Sequence, residues 1–176
     1  MYKRQIFEHG AIDQISEVLA EIGLKKPLIC TDPGLVQLGM LDQLRNLISN
    51  KFTPIVFDET PENPTQEATE KALGIYVSEG CDGIIGFGGG SSIDLGKAVS
   101  ILATHEGTII DYSVNEGGLE KIGETAPLIA IPTTSGTGSE VSSGSVIIMK
   151  DGRKLILASS CLLYTSDAAD DTPCVD

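Results

Sequence analysis

Ile84-Ile85-Gly86-Phe87-Gly88-Gly89-Gly90-Ser91-Ser92-Ile93-Asp94-Leu95-Gly96-Lys97 is the stretch from which the rest of the chain is read. A short apolar run breaks into three consecutive glycines, and two serines then lead into a segment compatible with a helix. The pattern predicts a strand, a bare turn and a helix start. Gly88, Gly89 and Gly90 carry no side chain to hold a ligand off the backbone, and Ser91 or Ser92 is placed to cap the helix. The unpaired N–H groups and dipole of such a helix end favour an anion, most often a phosphate. Glycine clusters also make plain tight turns, so the local pattern leaves both readings open. The stretch is not a strict dinucleotide fingerprint, since Gly86-Phe87-Gly88-Gly89-Gly90-Ser91 reads G-x-G-x-x-S, and no Gly-Lys-Ser/Thr follows at P-loop spacing.

Working outward, Pro27–Thr31, Ile55–Phe57 and Pro127–Ile131 read as further short buried strands. Apolar spacings of three and four predict helices through Ile12–Ile22, Leu35–Ile48, Thr65–Glu79 and, after the glycines, to about Ala103. Residues 3–8 alternate loosely as an edge strand, 105–125 form a long excursion without periodicity, and Lys150-Asp151-Gly152 joins Ser145–Met149 to Lys154–Ala158 as a hairpin. Strands alternating with helices imply an α/β fold, a Rossmann-like, mainly parallel sheet with flanking helices. Ligands then bind beyond the carboxyl ends of the strands, which here carry Asp32, Asp58 with Asn63, Gly88–Ser91 and Thr133–Ser139.

Composition narrows the class of partner. A net charge of −13 over 176 residues makes nucleic acid and anionic membrane surfaces poor partners. No apolar run approaches a membrane span and the first residues lack a signal peptide's apolar centre, so a cytoplasmic protein is expected. Cys30, Cys81, Cys161 and Cys174 form no Cys-x-x-Cys pair, and His9 and His105 stand alone, so no metal residue is expected in this chain. Cys30 and Cys81 read as small core residues.

Gly88-Gly89-Gly90-Ser91-x-x-Asp94-x-x-Lys97, preceded by Asn63-Pro64-Thr65 and followed by Ile131-Pro132-Thr133-Thr134-Ser135-Gly136-Thr137-Gly138-Ser139-Glu140-Val141, resembles the amino-terminal half of the iron-containing (group III) alcohol dehydrogenases. The resemblance covers residues 1 to about 159. It implies a domain at 1–160 that binds NAD(P), to be completed by a helical domain holding Fe²⁺, sometimes Zn²⁺, which polarises an alcohol or aldehyde oxygen during hydride transfer. Carried over residue by residue, it implies that Gly88, Gly89, Gly90 and Ser91 seat the pyrophosphate, that Asp32 meets the adenosine ribose and that Asn63 lies beside the cofactor. Thr133, Thr134, Thr137, Ser142 and Lys154 would line the ribose and nicotinamide half. Asp32 has the alternative role of capping the helix after Pro33; facing the ribose, its carboxylate prefers NAD to NADP. Asp94 either holds the loop or touches the cofactor, and Lys97 reads as its surface partner at i+3.

The family's metal ligands, an aspartate and three histidines, belong to the domain absent here, so the resemblance implies that this chain alone is inactive. A module that only binds nucleotide is the reading from another class. Glycerol-dehydrogenase-like and dehydroquinate-synthase-like enzymes share the glycine loop, but the Pro132–Glu140 segment suits the alcohol dehydrogenases better. A homo-oligomer of the complete parent is in keeping with the family. Cys161-Leu162-Leu163-Tyr164-Thr165-Ser166-Asp167-Ala168-Ala169-Asp170 leaves the family pattern and resembles a translated sequencing adapter, so 161–176 is expected to be a non-native tail.

Overall fold

The computed structural model describes residues 5–162. Four short strands, β1 (Pro27–Cys30), β2 (Ile55–Phe57), β3 (Gly83–Gly88) and β4 (Leu128–Pro132), form one parallel sheet in the order β2-β1-β3-β4. Its register pairs Leu28 with Ile55 and Ile84, and Ile84 in turn with Leu128. β1 and β3 are buried along their whole length, which is why they read as continuous apolar runs rather than as alternations.

Helices cover both faces. Leu28, Cys30, Ile84 and Phe57 point to the layer of α4 (Gln66–Glu79) and α5 (Gly90–Leu102), where Ala68, Ala72, Leu95 and Val99 meet them. Ile29, Ile85 and Phe87 point the other way, to α1 (Ile15–Glu21), α2 (Pro33–Gln37) and α3 (Met40–Leu47). Each strand thus splits its side chains between two cores, the period-two rule at work in a doubly covered sheet. The α/β, Rossmann-like architecture expected from the sequence is the one present.

A second layer sits on the far side of α5. The antiparallel hairpin β5 (Gly144–Ile148) and β6 (Lys154–Ala158) packs Ile147, Leu155 and Leu157 onto Ala98 and Ile101. α5 is therefore enclosed between sheet and hairpin, and its residues from Leu95 to Ile101 are all buried. Close contact with β3 depends on Gly86: a Cβ there would stand 3.1 Å from the Ile93 Cα, in the helix backbone itself. The hairpin also ties to the turn before α4, where the Ile148 N–H donates to the Pro64 carbonyl at 2.8 Å.

Several local expectations are corrected. Residues 5–8 form no strand, and the first helix opens with a 3₁₀ turn, Ala11–Gln14. The single helix expected over Leu35–Ile48 is two, because Gly39 adopts a left-handed φ of 71° between Gln37 and Met40. The excursion 105–125 is ordered by short turns and by α6 (Gly118–Lys121). Asp111 accepts from the Thr108 N–H and hydroxyl, and His105 Nε2 accepts from the Gly123 N–H at 2.9 Å. Ile109, Tyr112 and Ile122 bury themselves under the hairpin, which a search for helical or strand periodicity does not detect.

Of the stretch read as a tail, 161–176, all but Cys161 and Leu162 lie outside the described residues. Leu162 is buried in the hairpin core, so the packed body runs slightly past residue 160.

Candidate functional site: a cleft at the start of the central helix

The carboxyl end of β3 runs straight into α5. Gly88 has a φ of 149°, where an L side chain is strained, and a Cβ there would meet the Ser92 hydroxyl at 2.6 Å and the second carboxylate oxygen of Asp32 at 3.2 Å. The helix N-cap is Gly89, which offers no side chain, so neither Ser91 nor Ser92 caps it as expected; both lie in the first turn. The geometry of a helix start leaves the N–H groups of Gly90, Ser91 and Ser92 without intrahelical acceptors. With the dipole, they make the turn a site for an anion.

Above Gly90 stands the loop that follows β4. The Thr133 N–H donates to the Gly88 carbonyl at 2.9 Å and fixes where the loop begins. A Cβ at Gly90 would meet Ser139 Oγ at 2.9 Å and Thr137 Cβ at 3.2 Å, so glycine is what keeps the two walls apart. Between them opens a cleft of about 230 Å³, whose lining includes Asn63, Gly90, Ser91, Asp94, Thr137 and Lys154. Those six residues come from four separate segments. Asn63 is held there because Ser91 Oγ donates to the Glu62 carbonyl and because Thr65 caps α4 by accepting from the Ala68 N–H at 3.2 Å. Lys154 arrives on the hairpin, beside Val146 and Ile148.

The remaining expected residues take other places. Asp32 caps α2, accepting from the Leu35 N–H at 3.1 Å, and its other oxygen faces Gly88; capping and facing the glycine turn are thus compatible. Thr134 Oγ1 lies 3.4 Å from the Cβ position of Gly89. Thr133 lines a different space, a groove of about 1420 Å³ on the α1–α3 side of the sheet that Phe87, Ile131 and Glu140 also border. Ser142 is outside the cleft lining, and its hydroxyl receives a hydrogen bond from Lys97 Nζ at 3.1 Å.

Two residues carry an electrostatic role that periodicity misses. Asp94 accepts from the Val146 N–H at 3.1 Å through one oxygen, while its other oxygen is buried at the cleft without a hydrogen-bond partner. Burial raises its carboxyl above the ordinary value, against the opposing pull of the Val146 N–H, Lys97 and Ser139. Lys97 is not on the surface: it is 1% exposed, and its Nζ donates to the carbonyls of Ser139, Ser142 and Gly144. Ser139, expected only as the end of the Thr133–Ser139 turn, lines the cleft, and Ser92, expected as a helix cap, instead sets its hydroxyl against Gly88. No group of three or more His, Cys, Asp or Glu among the described residues could hold a metal. No helix among them is long and apolar enough to cross a membrane.

A parallel sheet with helices on both faces and a glycine turn opening a central helix places the molecule among Rossmann-like α/β folds. The family model described as iron-containing alcohol dehydrogenase matches residues 3–166, and the chain belongs to that family. Residues 161–166 of the stretch read as a tail fall inside this match. The chain is 46% identical over 164 residues to 4-hydroxybutyrate dehydrogenase of Cupriavidus necator, covering 93% of itself and 43% of that protein. Among solved structures it is similar to a 1,3-propanediol oxidoreductase, with a TM-score of 0.81 and 32% identity, covering 88% of this chain and 40% of that one. A sulfoacetaldehyde reductase from Bifidobacterium kashiwanohense in complex with NAD⁺ superposes with a TM-score of 0.77 at 26% identity, over 89% of this chain and 41% of that one. The chain therefore spans about two fifths of the length of these relatives.

Proposed function

We propose that this chain is the cofactor-binding part of an NAD-dependent, metal-dependent alcohol dehydrogenase that interconverts an alcohol with its aldehyde or ketone. The observation that carries the reading is the convergence of Asn63, Gly90, Ser91, Asp94, Thr137 and Lys154 on one cleft at the amino end of α5. The cleft fits the cofactor chemically. Bare N–H groups at Gly90, Ser91 and Ser92 suit pyrophosphate oxygens, and the space a Cβ at Gly90 would close is left open. The free carboxylate oxygen of Asp94 suits an N–H or O–H donor, and the Lys154 ammonium suits hydroxyls or phosphate. Asp32, beside Gly88, suits a ribose hydroxyl and repels a 2′-phosphate, which favours NAD over NADP.

NAD supplies the hydride acceptor or donor. The residues of this chain bind and orient it: the glycine turn takes the charge, Ser91 fastens α5 to the Asn63 turn, and the loop of Thr137 and Ser139 forms the opposite wall. The metal of the family name finds no ligand group among the described residues. For the chain by itself we accordingly propose nucleotide binding without turnover.

Calorimetric titration of the 176-residue chain with NAD tests the reading, with Gly90→Val as the control. Binding is expected for the wild-type chain and at least about tenfold weaker binding for the variant, equivalent to about 1.4 kcal/mol. Absence of NAD binding in the folded wild-type chain overturns it. An assay of alcohol oxidation with added Fe²⁺ should stay at background; turnover would refute the binding-only account of this chain.

A further inference from the structure

The loop between β4 and β5 makes one wall of the cleft, yet it belongs to neither sheet. Its two ends are pinned by backbone, the Thr133 N–H to the Gly88 carbonyl at 2.9 Å and the Ser159 N–H to the Ser143 carbonyl at 3.0 Å, and within it the Val141 N–H donates to the Gly138 carbonyl at 3.1 Å. Between those ends it is α5 that holds it. Lys97 Nζ reaches the carbonyls of Ser139 at 2.6 Å, Ser142 at 2.6 Å and Gly144 at 2.8 Å. An ammonium has three hydrogens to give, and these three carbonyls, at the shortest distances, with the Ser142 hydroxyl at 3.1 Å, take them up in full. The side chain is 1% exposed, so water does not compete. Neither Asp94 nor Glu140 is hydrogen-bonded to it, although their charges help to keep it protonated against the burial that lowers its pKa. The buried cation is therefore satisfied by the loop and by Gly144 at the start of β5 rather than by a carboxylate.

We propose, building on the nucleotide-binding reading above, that Lys97 is a positioning residue that sets the distance between the 137–144 loop and Gly90, and so holds the cleft at the width its ligand needs. The loop residues nearest Gly90 are Thr137 and Ser139, and Ser139 is itself one of the three tethered residues. Lys97 lies beneath the wall and is absent from the cleft lining, so it touches the ligand only through the loop it holds.

The test compares the wild-type 176-residue chain with Lys97→Met and Lys97→Arg by hydrogen–deuterium exchange and by NAD titration. Lys97→Met should raise exchange in peptides covering 137–146 by about tenfold, leave β1 and β3 protected, and weaken NAD binding by about tenfold or more. Lys97→Arg keeps the charge but offers a planar fork that cannot converge on three carbonyls around one nitrogen, so it should show the same local loosening in a folded chain. It also decides the matter if the methionine variant fails to fold. Wild-type exchange and affinity in Lys97→Arg would show that only the charge matters and would overturn the proposal. So would a rise in exchange spread evenly through β1 and β3, the mark of a general structural role. Failure of the wild-type chain to bind NAD sinks the nucleotide reading instead, while the exchange contrast still decides whether Lys97 holds the loop.

Discussion

On the side of α5 that faces the sheet, Leu95 and Val99 pack against Leu28, Ile84 and Leu128 with no polar atom among their side chains. On the side that faces the cleft loop and the hairpin, Asp94 and Lys97 meet Ser139, Ser142, Gly144 and Val146 through hydrogen bonds. Both sides are buried, but different terms hold them. The first is fixed by volume and by the close approach that Gly86 permits. The second is fixed by matching donors to acceptors, where a misplaced group costs more than a lost methyl. The helix that begins the proposed binding cleft is anchored by packing behind and by hydrogen bonds in front.

Enlarging a void on the sheet side should produce the largest change. Leu95 is fully buried, and Leu95→Ala is expected to cost about 2–5 kcal/mol in denaturant unfolding, as large-to-small core changes do. A cost below about 1 kcal/mol would mean that the sheet side is not volume-limited. Next comes overpacking at the same contact. The added methyl of Gly86→Ala would stand 3.1 Å from the Ile93 Cα, a backbone atom that moves only if the helix moves, so a loss of about 1–3 kcal/mol is expected. Because the displaced segment begins at Gly90, this variant should also weaken NAD binding, whereas Leu95→Ala should leave affinity largely intact in the folded fraction.

The same division explains what could be read in advance. The parallel sheet, its helices and the hairpin were legible because apolar spacing reports volume packing, and the glycine turn was legible because only a few backbones need three adjacent glycines. The split at Gly39 was not, since one left-handed residue inside an otherwise continuous helical spacing leaves the apolar stripe unchanged. Lys97 was misplaced for a deeper reason. A lysine at i+3 from an aspartate is ordinarily a solvated pair, and nothing local announces that three carbonyls more than forty residues away will enclose it. Six of the residues carried over from the family pattern meet at the cleft, whereas Ser142 serves the tether and Thr133 borders the opposite groove.

A smaller effect separates the two sides by pH. Cys30, in the apolar layer, is fully buried, and burial, with Cys81 adding to it, pushes its thiol far above the ordinary value. In the unfolded chain a thiol ionises near pH 8.5, while in the folded chain it keeps its proton. The folded state then binds more protons, so stability falls as pH rises past that value, by about 1 kcal/mol at pH 9.5 from this group. Cys30→Ala removes that slope, so the stability gap between wild type and variant should narrow between pH 7 and about 9.5 when both are unfolded in urea. A constant gap would show that the thiol is solvated and that this layer is looser than its packing implies.

The smallest effect lies on the polar side, and its sign carries the information. Burial leads the shift at Asp94 and raises its carboxyl, outweighing the Val146 N–H, Lys97 and Ser139, which all pull it down. A raised carboxyl gives stability that is complete below the unfolded value near 3.9 and is lost as pH climbs through the folded value. Asp94→Asn keeps an oxygen for the Val146 N–H and does not titrate. Its stability relative to wild type should therefore rise as pH increases from about 3.5 to 6. The reverse slope would mean that Lys97 lowers the carboxyl, making Asp94 and Lys97 a true ion pair. The loop carbonyls would then be secondary to that pair, and the front of α5 would be held by charge. The expected slope instead leaves the Lys97 ammonium to the carbonyls that surround it and the Asp94 oxygen free at the cleft.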